Sequence, residues 1–277
     1  GVACHVLFEW DKRHDELDLS LLEKAWNQLI ARHDMLRMVV DADGQQRVLA
    51  TTPTYRIPRD DLRALSPQEQ RLALEKRRLE LSYRVLPADQ WPLFELVVSE
   101  IDDCRYRLHM NLDLLQFDVQ SFKVMMDDLA QAWRGETLAP LDITFRDYVM
   151  AEQARRQTAA WHDAWEYWQE KLPQLPLAPE LPVVKTPPET PHFTTFTSTI
   201  GKPAWQAVKQ RWQQQGLTPS AALLTLFAAT LERWSRTAEF TLNLTFFNRQ
   251  PVHPQINQLI GDFTSVTLVD FNFSTPV

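Results

Sequence analysis

The sequence predicts an α/β protein in two subdomains, with mixed sheets flanked by helices. Three observations support this. Strand-like runs alternate with amphipathic helical runs along the whole chain. At 277 residues the chain has material for more than one small core. The stretch "LPQLPLAPELPVVKTPPETP", 172–191, cannot be helical, because its prolines hold it extended, close to polyproline II. We read it as a semi-rigid linker between an N-terminal subdomain, 1–171, and a C-terminal one, 192–277.

Each element follows from local pattern. Residues 2–10 read as a strand. "SLLEKAWNQLIARH", 20–33, reads as a helix with a Ser20/Glu23 capping box and Leu22, Trp26, Leu29, Ile30 and His33 at helical spacing. Residues 36–50 form a hairpin around "DADGQQ". A charged amphipathic helix starts at Ser66, with Pro67 in its first turn. "LFELVVSEI" and "CRYRLHMNLDL" read as paired strands. In the second of these, Tyr106, Leu108, Met110 and Leu112 share one face, and Arg107, His109, Asn111 and Asp113 the other. That polar face is expected to line a cavity or solvent. "DVQSFKVMMDDLAQAWRG" is a helix with Phe122, Met125, Met126, Leu129 and Trp133 inward and Gly135 just past its end.

"TFRDYVMAEQARRQTAAWHDAWEYWQEKL" is a long helix broken near Gln157-Thr158, and Trp161, Trp165 and Trp168 follow its period as core residues. Past the linker come a strand, "HFTTFTSTI", a helix at 203–215, and a helix with Thr218 as N-cap and Pro219 first inside. Two strands, "EFTLNLTFFNR" and "GDFTSVTLVDF", follow.

Composition excludes several function classes. The formal net charge is −7 and no Lys/Arg cluster stands out, which argues against a nucleic-acid surface. No apolar run reaches the length of a membrane span, and the first residues lack a secretory pattern. Two isolated cysteines, Cys4 and Cys104, make neither a disulfide framework nor a zinc site, so reduced thiols in the cytoplasm are expected. No metal is expected, because HxxxH, HExxH and CxxC are absent; GxSxG, P-loop and GxGxxG patterns are absent too.

The chemistry-bearing candidates concentrate in "DLLQFDVQS", 113–121. Asp118 before an amphipathic run is an N-cap signature, which favours a structural role. Asp113 ends a strand on its polar face and has no such explanation. Two carboxylates brought together in a cleft can split their pKa values and do acid/base work, though spacing alone does not bring them together. His109 reads more readily as a hydrogen-bonded bystander than as a base. Asn248 and Arg249 end a strand, where they serve either a turn or a cleft edge.

Several segments together resemble the heterocyclization domains of nonribosomal peptide synthetases, relatives of condensation domains in the chloramphenicol-acetyltransferase-like fold. The family's pattern of Asp, four residues, Asp, two residues, Ser is met by Asp113, Asp118 and Ser121. "RHDMLRMVVDADGQQ" is similar to an early family motif, and "LPLAPELPVVKTP" to its proline linker, with Val183 where Leu is usual. "TPSAALLTLFAATLERW" and "GDFTSVTLV" resemble two later ones. Five motifs in order, from residue 32 to 269, make the resemblance specific. Among members it resembles in particular those of yersiniabactin-type siderophore synthetases.

The resemblance implies a domain that condenses an upstream carrier-bound acyl group with carrier-bound Cys, Ser or Thr. It then cyclodehydrates the product to a thiazoline or oxazoline. It implies no directly bound cofactor, phosphopantetheine arms on upstream and downstream peptidyl or aryl carrier proteins, and adjacent synthetase domains as partners. Asp113, Asp118 and Ser121 become the catalytic-motif candidates, and Asn111 and Asn248 further cleft groups. Arg37 is the first candidate partner for Asp118 and Arg249 the second. Ordinary condensation domains carry HHxxxDG here; Leu114 takes the place of the second His and can neither accept nor donate a proton.

The first family motif and the last two are not found, so the resemblance implies a domain truncated at both ends. Its expected catalytic Thr and Asp would fall beyond Val277, and the isolated chain would be inactive. Two other readings remain at this stage: an ordinary amide-forming condensation domain, which Leu114 disfavours, and a noncatalytic carrier-docking module.

Overall fold

The computed structural model describes residues 4–16, 18–183 and 196–274. The chain divides into two compact units, Gly1–Thr158 with Phe247–Ser265, and Ala159–Phe246 with Val266–Val277.

The first unit is built on a four-stranded sheet. Its strands are β1 (His5–Arg13), β4 (Arg59–Asp61), β5 (Phe94–Glu100) and β6 (Arg105–Asp113), in the order β1-β6-β5-β4. β6 runs antiparallel to both β1 and β5, and β4 is parallel to β5. β2 (Met38–Val40) and β3 (Gln46–Val48) form the expected hairpin. The register sets Phe94 opposite Leu112, Leu96 opposite Met110 and Val98 opposite Leu108, which makes one continuous apolar face. Helices α1 (Leu19–Arg32) and α3 (Val119–Trp133) cover that face with Leu22, Trp26, Leu29, Met125 and Leu129. Trp26 meets Phe94 edge-on at 5.3 Å, and Phe8 stacks on Phe122 at 4.3 Å.

Two sequence expectations change at this face and its reverse. The cap of α1 is Asp18, whose Oδ1 accepts from the Ser20 and Leu21 N–H groups at 2.8 and 3.3 Å. Glu23 instead accepts the Ile57 N–H at 2.9 Å and pairs with Arg56, so no Ser20/Glu23 box forms. The reverse face of β6 is also not open. His109 and Asn111 are buried, because α2 (Pro67–Ser82) ties down over them through an Arg78–Glu9 ion pair. The Ser66/Glu69 capping box of α2 forms as the sequence predicts.

The long helix breaks where expected, into α4 (Phe145–Arg155) and α5 (Ala159–Lys171). The division between units falls at this break, before the proline stretch, since the chain after 158 packs with 196–246 rather than with the first sheet. Residues 184–191 of the predicted linker and 192–195 of the predicted strand lie outside the described residues; 196–200 form no strand. The second unit contains α5, α6 (Lys202–Gln214), α7 (Pro219–Glu232) and most of a two-stranded sheet of β7 (Glu239–Phe247) and β8 (Thr264–Asn272). Thr218 caps α7 and Pro219 opens it. No residue of α5 is buried: Trp165 is exposed and stacks on Trp161 at 5.4 Å, so the expected tryptophan core is not found there.

Candidate active site

The sequence "DLLQFD" must leave a strand and start a helix within a few residues. The loop is therefore pinned at many points. Asp113 N–H donates to the Leu93 carbonyl at 3.1 Å and Leu114 N–H to Cys4 at 2.9 Å. Leu115 N–H donates to Asp113 Oδ1 at 3.0 Å, which turns the chain on the acid's own side chain. Phe117 enters the core and Leu114 packs against it, while Leu115 stays exposed.

Asp118 then caps α3: its Oδ1 accepts the Ser121 N–H at 2.6 Å. Its Oδ2 accepts the Phe263 N–H at 3.3 Å, and its own N–H donates to the Gly261 carbonyl at 3.1 Å. Arg249 Nη2 lies 3.4 Å from Asp118 Oδ1 and donates to Ser121 Oγ at 2.8 Å. Its Nη1 donates to the carbonyls of Ile256 and Leu259 at 2.9 and 3.0 Å, and its guanidinium carbon lies 3.8 Å from the centre of the Phe263 ring. Burial pushes the Arg249 pKa down, and the Asp118 carboxylate opposes that shift. Ser121 Oγ donates to the Gly261 carbonyl at 2.8 Å and accepts from Gly261 N–H at 3.1 Å and from Arg249. One donor and two acceptor sites are all a hydroxyl has, so Ser121 is saturated.

The candidates thus separate. Asp118, Ser121 and Arg249 form one buried network. Arg37 takes no part in it: it pairs with Asp34 at 2.7 Å and caps carbonyls of Ala31, Ile30 and Leu49. The first-choice partner of Asp118 is thereby corrected to the second. Asp113 is 5% exposed, and among the described residues only its Oδ1 has a side-chain hydrogen bond. Asn111 is buried; its Nδ2 reaches the Leu81 carbonyl at 3.5 Å and its Oδ1 has no partner among the described residues. Asn248 is half-buried. Its N–H donates to the Phe263 carbonyl at 2.8 Å, its carbonyl accepts from the Tyr148 hydroxyl and its Oδ1 from Gln250. Among the described residues no acceptor faces its Nδ2.

Sequence reasoning missed Gln116, Gly261 and the Glu9–His109–Ser99 chain. His109 Nδ1 lies 2.9 Å from Glu9 Oε1 and its Nε2 3.0 Å from Ser99 Oγ, and burial holds its pKa down. His109 and Ser99 are buried, and Glu9 pairs with Arg78 of α2 at the edge of a surface pocket that it lines with Asp11 and Arg107. The register of Glu9 against His109 was the signal that could have paired them, but it needs the sheet order. No group of three or more His, Cys, Asp or Glu among the described residues could hold a metal ion. No helix among them is long and apolar enough to cross a membrane.

A strand-end acid, a cap acid five residues on, and a buried arginine returning from far along the chain to clamp the loop make up the site, and the class of protein that carries it is a condensation-type domain. The chain belongs to that family: residues 11–274 match the Condensation domain. It is 37% identical over 278 residues to pyochelin synthetase PchF of Pseudomonas aeruginosa (strain UCBPP-PA14), covering 97% of this chain and 15% of PchF. It is 34% identical to phenyloxazoline synthase MbtB of Mycobacterium sp. (strain MCS), covering 99% of this chain and 23% of MbtB. Among solved structures, the EpoB cyclization-docking bidomain from Sorangium cellulosum superposes with a TM-score of 0.88 at 34% identity, over 98% of this chain and 55% of that one. The chain therefore spans a minor part of the length of these synthetases.

Proposed function

We propose that this chain serves as a heterocyclization domain of a nonribosomal peptide synthetase. The amine of a carrier-bound Cys, Ser or Thr attacks the carbonyl carbon of an upstream acyl thioester. The C–S bond breaks, the upstream phosphopantetheine thiol leaves with a proton, and an amide forms. The side-chain thiol or hydroxyl then adds to that amide carbonyl. Its oxygen departs as water and the C=N bond closes a thiazoline or oxazoline. Both substrates arrive on carrier-protein arms, so high effective concentration replaces tight binding.

The observation that carries this reading is the loop 113–121. Leu114 stands where a proton-transferring His would serve amide formation alone, and the loop keeps two acids with unlike surroundings. Asp118, Ser121 and Arg249 hold the loop and the segment 256–263 in place. Among the described residues nothing donates to the second carboxylate oxygen of Asp113, which suits it to accept from the S–H, O–H or N–H of the acceptor substrate. Asn248 Nδ2 is suited to donate to the oxyanion formed at each addition step. Carrier proteins and adjacent synthetase domains are the partners this chemistry needs.

The test is mass spectrometry of carrier-bound products of the full-length protein. The ring is one water lighter than the open amide. We expect the wild type to give the ring and Asp113→Asn to lower ring formation about 10- to 100-fold. A wild type that yields only open amide would sink the ring-forming reading, and an unaffected Asp113→Asn would remove Asp113 from it.

A further inference from the structure

Gln116 has no place in the motif, yet it is fully buried in the loop between the two acids. Its Nε2 donates to the Met35 carbonyl at 2.9 Å, across 81 positions of sequence. Met35 is itself buried, in the short turn Asp34–Arg37 that follows α1. No other side chain of residues 114–117 makes a hydrogen bond to a distant segment among the described residues. The backbone of Gln116 closes the same turn, with its N–H donating to the Asp113 carbonyl at 3.3 Å. Asp113 Oδ1 in turn holds the Leu115 N–H at 3.0 Å. The carboxylate direction of Asp113 is thus fixed by where residues 115 and 116 sit, and the Gln116 strut fixes those.

A buried amide here is costly, since its Oε1 has no partner among the described residues. An apolar side chain of the same size would fill the space without that cost. The retained amide therefore supplies direction rather than bulk. We propose that Gln116 is a positioning residue for Asp113: its bond to Met35 sets the loop so that the free oxygen of Asp113 meets the acceptor substrate. This rests on the heterocyclization reading for its product, but not for its test.

The test is a double-mutant cycle in the full-length protein, with Gln116→Met, Asp113→Asn and the pair. Gln116→Met keeps length and loses the donor. We expect it to lower ring formation about 10-fold, through the turnover rate rather than the apparent KM for the loaded acceptor carrier. We expect no further loss when it is added to Asp113→Asn. A purely structural residue would add its loss to that of Asp113→Asn, and that additivity overturns the proposal. So does a Gln116→Met protein with wild-type turnover. If the wild type makes only open amide, the ring-forming reading fails by itself. The cycle is then read on the amide rate, where non-additivity still supports the strut and additivity still overturns it. Thermal melts of each variant identify one that fails to fold; Gln116→Leu then replaces Gln116→Met.

Discussion

Asp113 and Asp118 are the same residue type, in the same motif, at the two ends of one loop, and their surroundings differ in kind. Asp118 accepts backbone N–H groups at both oxygens and faces a buried guanidinium. Among the described residues Asp113 has one oxygen engaged, by the backbone two residues on. A fully buried carboxylate with both oxygens engaged by the protein holds a structure. A carboxylate with an oxygen to spare can also accept from a substrate. Within a motif, the hydrogen-bond count separates the acid that is fully committed to the fold from the acid that keeps acceptor capacity, which is the one our proposal assigns to the substrate.

That contrast can be broken most directly at the saturated end. Asp118→Ala strands the Arg249 charge in the interior. The expected cost is about 3–5 kcal/mol, read from urea unfolding. Asp113→Asn should cost less than about 1 kcal/mol in the same measurement, because an amide oxygen can still accept the Leu115 N–H. Equal losses at the two positions would end the distinction.

The clamp can be pressed from its other side. A Cβ on Gly261 would run into the Phe145 ring, which is itself buried. Gly261→Ala is expected to destabilise by about 1–3 kcal/mol through overpacking. It should also loosen Ser121, which makes two bonds to that residue. A melting temperature unchanged within error would show that the loop 256–263 yields more easily than this packing implies.

A smaller effect concerns pH. His33 and His109 are buried and burial lowers both pKa values, against the pull of Asp128 and Glu9 respectively. Around His109 the charged groups are Glu9 from β1, Arg107 from β6 and Arg77 from α2. A histidine whose folded pKa lies below its unfolded value near 6.5 is neutral in the fold and takes up its proton on unfolding. The stability it contributes is present above about pH 6.5 and is lost as the pH falls through that value toward the folded pKa. Each group contributes a slope of at most about 1.4 kcal/mol per pH unit. His109→Gln should flatten part of that slope in urea titrations between about pH 7 and 5. A slope identical to wild type would assign the acid sensitivity elsewhere. Smallest is the cap of α1: Asp18→Ala should cost about 1 kcal/mol, and Ser20→Ala less, since Asp18 is the residue that accepts the helix N–H groups.

Much of the fold was legible in the sequence where the cause is local. The Ser66/Glu69 box, the Thr218-Pro219 start, the hairpin at 38–48 and the helix break after Arg155 all depend on a few neighbouring residues. The Asp118 cap was legible for the same reason. What failed depends on distance. On paper Arg37 ranks ahead of Arg249 as the partner of Asp118, and only the return of 247–265 to the first unit reverses that order. The polar face of β6 reads as open because nothing in its own alternation announces that α2 will lie across it. Helical spacing put Trp161, Trp165 and Trp168 on one side of α5, but period alone does not say that something covers that side. Gln116 carries no sequence signal, because its partner is a backbone carbonyl, which every residue has.

The Asp118–Arg249 pair also constrains the order of assembly. Synthesis runs from the N-terminus, so Asp118 and Ser121 emerge well before Arg249, Gly261 and Phe263, and the ribosome adds the whole of α5, α6 and α7 in between. Throughout that interval the nascent first unit has an acid cap without its counter-charge and a core without Phe263. Its last step is therefore a closure by a late segment, and the loop that bears the two acids reaches its final shape only when the chain has come back to it.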